Sequence, residues 1–167
     1  AFKKITIPAS VKYLGTYAFQ DCLDVTEVVY LTEVSTTSTS ATSYSTYLFD
    51  SCTSLKRVVL NDNIKSFGKY AFADCTSLAT IDIYDPDEGT TTTNEIGVAT
   101  LPSALNHIET YVFQYTAIRE VEIPSSITYL SSSTTTTSTS SYGGIFKGCA
   151  QLEKVILPDT LRTIGKE

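Results

Sequence analysis

The stretch CTSLKRVVLNDNIKSFGKYAFADC, residues 52–75, contains one complete unit of a repeat that runs through the chain. A Phe-x-x-Cys block starts at Phe19, Phe49, Phe72 and Phe146, and the same block with threonine in place of cysteine starts at Phe113. An aliphatic segment follows each block, as in CTSLKRVVL, CTSLATIDI and CAQLEKVIL. Repetition with a period between about 20 and 50 residues is typical of solenoids, in which each repeat is one short structural unit.

The aliphatic segment predicts a short β-strand, because apolar residues alternate with other residues along it. In residues 55–60 the alternation directs Val58 and Leu60 inward and leaves Arg57 and Val59 on the open face of a sheet. One strand of this length cannot bury its apolar side, so we expect successive copies to stack into a parallel sheet with a continuous core. The phenylalanines of the blocks are expected to stack as a spine along the opposite wall.

Three insertions interrupt the repeat. Phe49 and Phe72 are 23 residues apart, whereas the other successive block phenylalanines are 30, 41 and 33 residues apart. The differences place insertions near residues 35–46, 84–100 and 131–141. Residues 1–167 are therefore predicted to form a single solenoid domain of about six units, of which the first and the last are partial.

Glycine and proline mark the predicted turns. Gly15, Gly68 and Gly165 are expected at tight bends before the next block, where a positive φ costs glycine least. Prolines are expected where the chain leaves the sheet and needs no N–H donor. The prolines that follow predicted strands are Pro8, Pro102, Pro124 and Pro158.

The combined pattern L-x-x-I-x-I-P-x-x-[VIL]-x-x-[IL]-G-x-x-A-F-x-x-C resembles the BspA-type leucine-rich repeat, the Treponema-like subclass. The match covers nearly the whole chain outside the insertions, and five Phe-x-x-[Cys/Thr] blocks with correct flanks make it specific. The resemblance implies a curved leucine-rich-repeat solenoid with short parallel strands on the concave face and a mostly irregular, turn-rich convex side. It also implies secreted or cell-surface proteins that act in adhesion, protein binding and coaggregation and are not enzymes as a class.

Charge and hydropathy disfavour several classes of partner. A net charge of −6 disfavours nucleic acid, whose phosphates bind clustered Lys and Arg. The same charge disfavours an anionic membrane surface. No apolar run approaches the roughly 18 residues of a membrane-spanning helix, so we expect neither a nucleic-acid partner nor membrane insertion of this segment.

The cysteines favour packing over redox or metal chemistry. Cys22, Cys52, Cys75 and Cys149 occupy one repeat position, and Thr116 stands at the same position in the remaining unit. Small buried side chains explain this pattern best, and disulfides between neighbouring units are the alternative. No C-x-x-C pair or histidine cluster predicts zinc.

Other candidate chemistry is sparse. The single histidine, His107, has no local nucleophile and carboxylate arranged around it, so we interpret it as a surface residue rather than a catalytic one. The acidic run from Asp82 to Glu88 could supply oxygen ligands to Ca²⁺, but it is also ordinary turn sequence. We predict no catalytic residue, no cofactor and no metal site.

The outward side chains of the predicted sheet form the candidate binding face. Its members are Arg57, Val59, Thr80, Asp82, Glu120, Glu122 and Lys154. Mixed charge and a lack of aromatic residues are typical of a solvated sheet face, because binding hot spots are enriched in Tyr, Trp and Arg. The eleven tyrosines fit either caps over the core or an interface.

Two Ser/Thr tracts are the distinctive feature of the insertions. Ten of the twelve residues 35–46 and all eleven residues 131–141 are Ser or Thr. Such tracts fit flexible loops, O-glycosylated segments or additional strands. The candidate glycosylation sites are Ser35, Thr36, Thr37, Ser38, Thr39, Ser131, Ser132, Ser133, Thr134, Thr135, Thr136 and Thr137.

The two ends of the solenoid are expected to be open, because neither carries an obvious polar capping repeat. The principal hypothesis is a non-enzymatic extracellular or cell-surface scaffold, a subunit that associates head to tail in a filament with O-glycosylated insertions. The alternative is a cell-surface adhesin domain that binds a host or neighbour-cell protein through its concave face. Both hypotheses predict a protein partner, and the first also predicts attached glycans.

Overall fold

The computed structural model describes residues 2–33, 46–130 and 144–164. Gly165 and the candidate glycosylation residues 35–39 and 131–137 lie outside the described residues. The secondary structure of the described part consists of short β-strands joined by turns, without a helix. The strands are β1 (Lys4–Ile7), β2 (Glu27–Tyr30), β3 (Arg57–Asn61), β4 (Ser66–Phe67), β5 (Thr80–Asp85), β6 (Thr90–Thr91), β7 (Val98–Thr100), β8 (His107–Ile108), β9 (Glu120–Glu122), β10 (Tyr129–Leu130), β11 (Lys154–Ile156) and β12 (Thr163–Ile164).

The main sheet follows the order of the repeats. Its strand order is β1-β2-β3-β5-β7-β9-β11, every neighbouring pair in this order is parallel, and β6 pairs antiparallel with β5. The opposite side of the solenoid carries the short parallel pairs β4–β8 and β10–β12. The predicted repeat solenoid with one parallel sheet is therefore confirmed.

The core lies between the sheet and the opposite side, and the repeat explains its composition. Val58 and Leu60 are fully buried, as the alternation predicts. Successive block phenylalanines stack with ring centroids 5.3 to 5.8 Å apart and nearly parallel planes. This continuous aromatic column is the predicted spine, and it ties each unit to the next because no single unit has a core of its own.

Hydrogen bonds from cysteine thiols connect a unit to the phenylalanine block of the preceding unit. All four cysteines are free. The thiols of Cys52, Cys75 and Cys149 donate to the carbonyl oxygens of Phe19, Phe49 and Phe113 of the preceding units, at 3.0 to 3.1 Å. Burial raises the pKa of Cys75, so its thiol is held in the neutral, unreactive form.

The insertion at residues 84–100 contributes strands to the sheet. Tyr84 and Asp85, at the end of β5, pair with Thr91 and Thr90 of β6. The chain then returns to form β7, which lies between β5 and β9 in the main sheet. One unit therefore supplies two strands to the sheet, β5 and β7, and only one to the opposite side, β8.

The predicted role of the bend glycines is wrong. Neither Gly15 nor Gly68 is among the residues with positive φ. The left-handed conformation falls two residues later, at Tyr17 and Tyr70, with φ values of 62° and 58°. The reason is that the bend is part of the block itself: the first left-handed residue lies two positions before the phenylalanine in the four blocks that have tyrosine there.

Candidate functional site

The candidate binding face is accessible over only part of the sheet. Val59, Thr80 and Asp82 were expected to face solvent, but they retain only 7%, 5% and 0% of their accessible surface. This is a correction to the sequence prediction, and at Asp82 the insertion is its cause. The backbone N–H of Asn94 donates to Asp82 Oδ1 at 2.7 Å, and Asn94 Nδ2 donates to the Ile81 carbonyl oxygen at 2.6 Å.

Asp82, which is bonded to Asn94 of the insertion, also forms a buried ion pair. The Arg57 guanidinium contacts Asp82 Oδ2, and the Arg57 side chain keeps 37% of its surface exposed while the Asp82 side chain has none. The carboxylate thus has one oxygen on Arg57 and the other on the backbone of Asn94. A buried carboxylate needs such partners. The Asn94 contact fixes the insertion against the sheet, and the Arg57 contact joins β3 to β5.

The other charges of the sheet face also pair with one another. Lys4 Nζ lies 3.0 Å from Glu27 Oε1 on the neighbouring strand, and Lys154 Nζ lies 3.6 Å from Glu120 Oε2. Glu122 is exposed and takes part in none of the ion pairs of the described residues. The structure thus leaves Arg57, Glu120, Glu122 and Lys154 accessible, on a face whose charges are largely neutralised locally.

A column of tyrosines stands on the corner of the solenoid and was not identified from the sequence. Tyr17, Tyr47, Tyr70 and Tyr111 each lie two residues before a block phenylalanine, and we call them the tyrosine ladder. Their rings stack with centroids 4.9, 4.6 and 4.8 Å apart in that order. The signal was present in the sequence, as tyrosine at the same position of four of the five blocks.

Three carboxylates accompany the tyrosine ladder at the same corners. Asp21, Asp50 and Asp74 follow the phenylalanines of the first three blocks by one or two residues, and we call them the acidic row. Gln20 Nε2 donates to Asp50 Oδ2 at 2.9 Å. Burial raises the pKa of Asp50, and the negative charge of Asp74 adds to the rise although the hydrogen bond from Gln20 opposes it. Burial raises the pKa of Tyr70 too, and neighbouring phenols and carboxylates add to the effect.

The ladder ends on a cation. The Lys147 ammonium lies 5.5 Å from the centroid of the Tyr111 ring, within cation–π range. In the fifth block Gly144 stands where the other blocks have tyrosine.

His107 belongs to a small polar cluster on the opposite side. Its Nε2 lies 2.9 Å from Glu109 Oε1, and the Tyr129 hydroxyl lies 3.4 Å from its Nδ1. The side chain is half-buried rather than on the surface as predicted, because it packs between these neighbours.

The acidic run has the geometry of a turn. Asp85 Oδ1 accepts hydrogen bonds from the backbone N–H groups of Asp87 and Glu88, at 2.8 and 3.2 Å. These bonds are those of an ordinary Asx turn. Across residues 2–33, 46–130 and 144–164, no group of three His, Cys, Asp or Glu side chains is arranged to hold a metal ion, and no helix could span a membrane.

The last strand of the sheet exposes apolar side chains. Val155 keeps 39% of its surface, whereas Val121, its partner on β9, keeps 2%. We call the exposed set the terminal apolar patch, and its exposures run from 39% to 59%. Its members are Val155, Ile156, Leu157 and Ile164. At the other end of the sheet, Phe2 and Leu23 are also exposed.

Comparison with known proteins places this geometry in a family. The profile of the BspA type Leucine rich repeat region matches residues 1–94, 30–141 and 134–167, with six copies. The crystal structure of a leucine-rich repeat protein from Treponema pallidum is 18% identical, with a TM-score of 0.53 over 96% of this chain and 72% of that chain. One from Bacteroides ovatus is 16% identical, with a TM-score of 0.33 over 99% of this chain and 71% of that chain. A search of the curated proteins finds no match. Since the family profile covers the whole chain, the chain belongs to the BspA-type leucine-rich repeat family.

Proposed function

We propose that this chain is a non-enzymatic extracellular or cell-surface scaffold whose copies associate head to tail through the two ends of the sheet. The observation that carries the proposal is the terminal apolar patch. Inside the solenoid the valine equivalent to Val155, Val121, is covered by the next strand, whereas Val155 is not. An exposed strand edge bordered by apolar side chains is a template for pairing with another strand, and β1 of a second copy offers one.

Apolar burial outweighs the charge repulsion at this contact. In register, Ile5 would cover Val155, but Lys4 would lie beside Lys154. Two like charges directly opposite each other cost about 0.2 to 1 kcal/mol. Full burial of a Val, Leu or Ile side chain contributes roughly 1.5 to 3 kcal/mol. Burial of the half-exposed side chains of Val155, Leu157 and Ile164 therefore outweighs the repulsion between two lysines.

The proposed extracellular location and the proposed glycosylation are supported by the sequence. Proteins with BspA-type repeats are typically secreted or on the cell surface, and dense Ser/Thr tracts in such proteins are candidates for O-glycosylation. Both tracts precede the corner of their unit, one ending at Thr46 and the other at Ser141. We propose that glycans on residues 35–39 and 131–137 decorate one flank of the assembly. Intact-mass measurement of the native protein tests this: mass in multiples of a hexose supports it, and an unmodified mass refutes it.

Head-to-tail association is tested by blocking one end at a time. Val155→Lys/Ile164→Lys charges the C-terminal end of the solenoid, and Phe2→Lys charges the N-terminal end; each variant alone should be monomeric in analytical ultracentrifugation. Mixed in equal amounts, the two variants should form a heterodimer, because each retains the end that the other lacks. Ile96→Lys is the matched control, since Ile96 is exposed but lies in the insertion. Wild-type protein that stays monomeric at high concentration would refute the proposal.

The adhesin function remains a second candidate, favoured by the accessible carboxylates of the sheet. Glu122 is exposed and lacks an ion-pair partner among the described residues. Charge reversal at Glu122 and Glu120 should reduce capture of a partner protein if this face binds it. Arg57 is unsuitable for that test, because its reversal would also disturb the buried carboxylate of Asp82.

A further inference from the structure

Left-handed residues occur at two positions of the blocks, two residues before and two residues after the phenylalanine. The side chain at the second position varies: it is Asp21, Ser51, Asp74, Tyr115 or Gly148, with φ between 55° and 69°. Aspartate and glycine tolerate this region well. The first is a tyrosine in four blocks, and tyrosine has no such tolerance. A requirement other than the bend therefore keeps tyrosine at this position.

Stacking decides which part of each ring is available. The faces of Tyr47 and Tyr70 are covered by neighbouring rings at 4.6 to 4.9 Å. A ligand that stacks flat on aromatic faces, as a sugar ring does, therefore has no place in the middle of the ladder. The ring edges and the row of phenol groups, which are spaced like the repeat, are the parts of the ladder that a ligand can contact.

The negative charge of the acidic row favours a positively charged ligand. Asp50 is 7% exposed, and its charge interacts with those of Asp74 and Asp21. None of the ion pairs formed by the described part of the chain includes a member of the acidic row. The protein thus places three carboxylates beside the ladder without a paired cation. At the far end of the ladder, the Lys147–Tyr111 contact shows that a lysine side chain fits against these rings.

We propose that the tyrosine ladder and the acidic row form a binding site for an extended basic segment of a partner protein. Lysine and arginine suit both parts of the site, because their aliphatic stems cover apolar ring edges while their charged ends donate hydrogen bonds. The donors reach the phenol oxygens of the ladder and the carboxylates of the acidic row. The site lies on the corner, away from the strand edges, so it does not depend on head-to-tail association.

Binding of octalysine and octaarginine peptides, followed by fluorescence anisotropy at 50 and 150 mM NaCl, tests the proposal. Tyr70→Asn is the key variant, because asparagine accepts the left-handed conformation and the fold is retained. Asp74→Asn removes one charge of the row. Each variant should weaken binding about fivefold or more, the size expected when a cation–π contact or a charge-assisted hydrogen bond is lost.

Matched controls separate the site from the general charge of the protein. Tyr13→Asn removes an exposed tyrosine outside the ladder, and Asp159→Asn removes an exposed carboxylate from the last unit. Both should change affinity less than twofold. Equal weakening by Asp74→Asn and Asp159→Asn, or no effect of Tyr70→Asn, would overturn the proposal. Displacement of the peptides by cellohexaose would assign the site to a carbohydrate instead.

Discussion

Arg57→Met probes the buried ion pair between β3 and β5. The substitution keeps the aliphatic stem of Arg57 but leaves the Asp82 carboxylate, which has no exposed surface, with the Asn94 N–H as its remaining partner. Asp82 also lies at the centre of the sheet, between β3 and β7. Loss of the guanidinium should therefore destabilise the protein through the carboxylate that stays behind.

The magnitude follows from the burial of the two partners. Removal of one member of a buried ion pair costs about 3 to 5 kcal/mol. The Arg57 side chain is 37% exposed, so solvent already screens part of the interaction and about 2 kcal/mol is expected. For a domain of this size, that corresponds to a fall in Tm of about 4 to 8 °C.

Thermal unfolding followed by circular dichroism measures this effect, with two comparisons. Lys4→Met, in the same cross-strand row of the sheet, removes the Lys4–Glu27 pair, whose side chains are 54% and 36% exposed; it should lower Tm by about 2 °C or less. Arg57→Met/Asp82→Asn removes both charges and keeps an acceptor for Asn94, so most of the lost stability should return. The reasoning fails if Arg57→Met costs no more than Lys4→Met, or if the double variant is less stable than the single one.

Three further predictions concern the corners. Gly148→Ala should lower Tm by several degrees, because φ is +69° there and a Cβ would lie 2.2 Å from the Tyr115 ring; Gly15→Ala, where nothing lies within 4 Å of the added carbon, is the control that should leave Tm nearly unchanged. Asp50→Asn should stabilise the protein at pH 7. Because burial raises the pKa of Asp50 in the folded state, its ionised form opposes folding above that pKa, so the gain should shrink as pH falls toward 4; a gain independent of pH would contradict this. Cys75→Thr should be tolerated, as Thr116 is at the same position, whereas Cys75→Leu should lower Tm sharply through overpacking; equal losses would show that the thiol hydrogen bond, not volume, governs this position.

The sequence was sufficient for the strands, the phenylalanine spine and the packing of the cysteine position. Each of these follows from the period, because every complete copy has the same residue types at the same positions. The prediction failed where one copy departs from the others. Asp82 occupies an outward position by alternation, yet it is buried and bonded to Asn94 of the insertion. A contact made by a unique segment leaves no periodic signal in the sequence.

Tyrosine was missed for the opposite reason. Its position repeats, but the sequence pattern gives no conformation, and a glycine two residues earlier accounts for a bend equally well. Only backbone geometry shows that Tyr17 and Tyr70, rather than Gly15 and Gly68, hold the left-handed conformation. The exposed stack then becomes a feature that needs an explanation of its own.

The extra strand decides which surface of the solenoid stays regular. Insertion of β7 adds about 4.8 Å of width to the sheet between β5 and β9, while β4 and β8 on the opposite side remain directly paired. The sheet face is thus divided at its centre, where the Arg57–Asp82 pair and Asn94 fill it. At the corner, Tyr70 and Tyr111 are 41 residues apart in sequence, yet their rings are 4.8 Å apart, the same spacing as in the rest of the ladder. An extended peptide that contacts successive units therefore meets evenly spaced side chains along the tyrosine ladder. On the sheet face the regular row of outward side chains is interrupted by the insertion. For this reason we assign the peptide site to the corner.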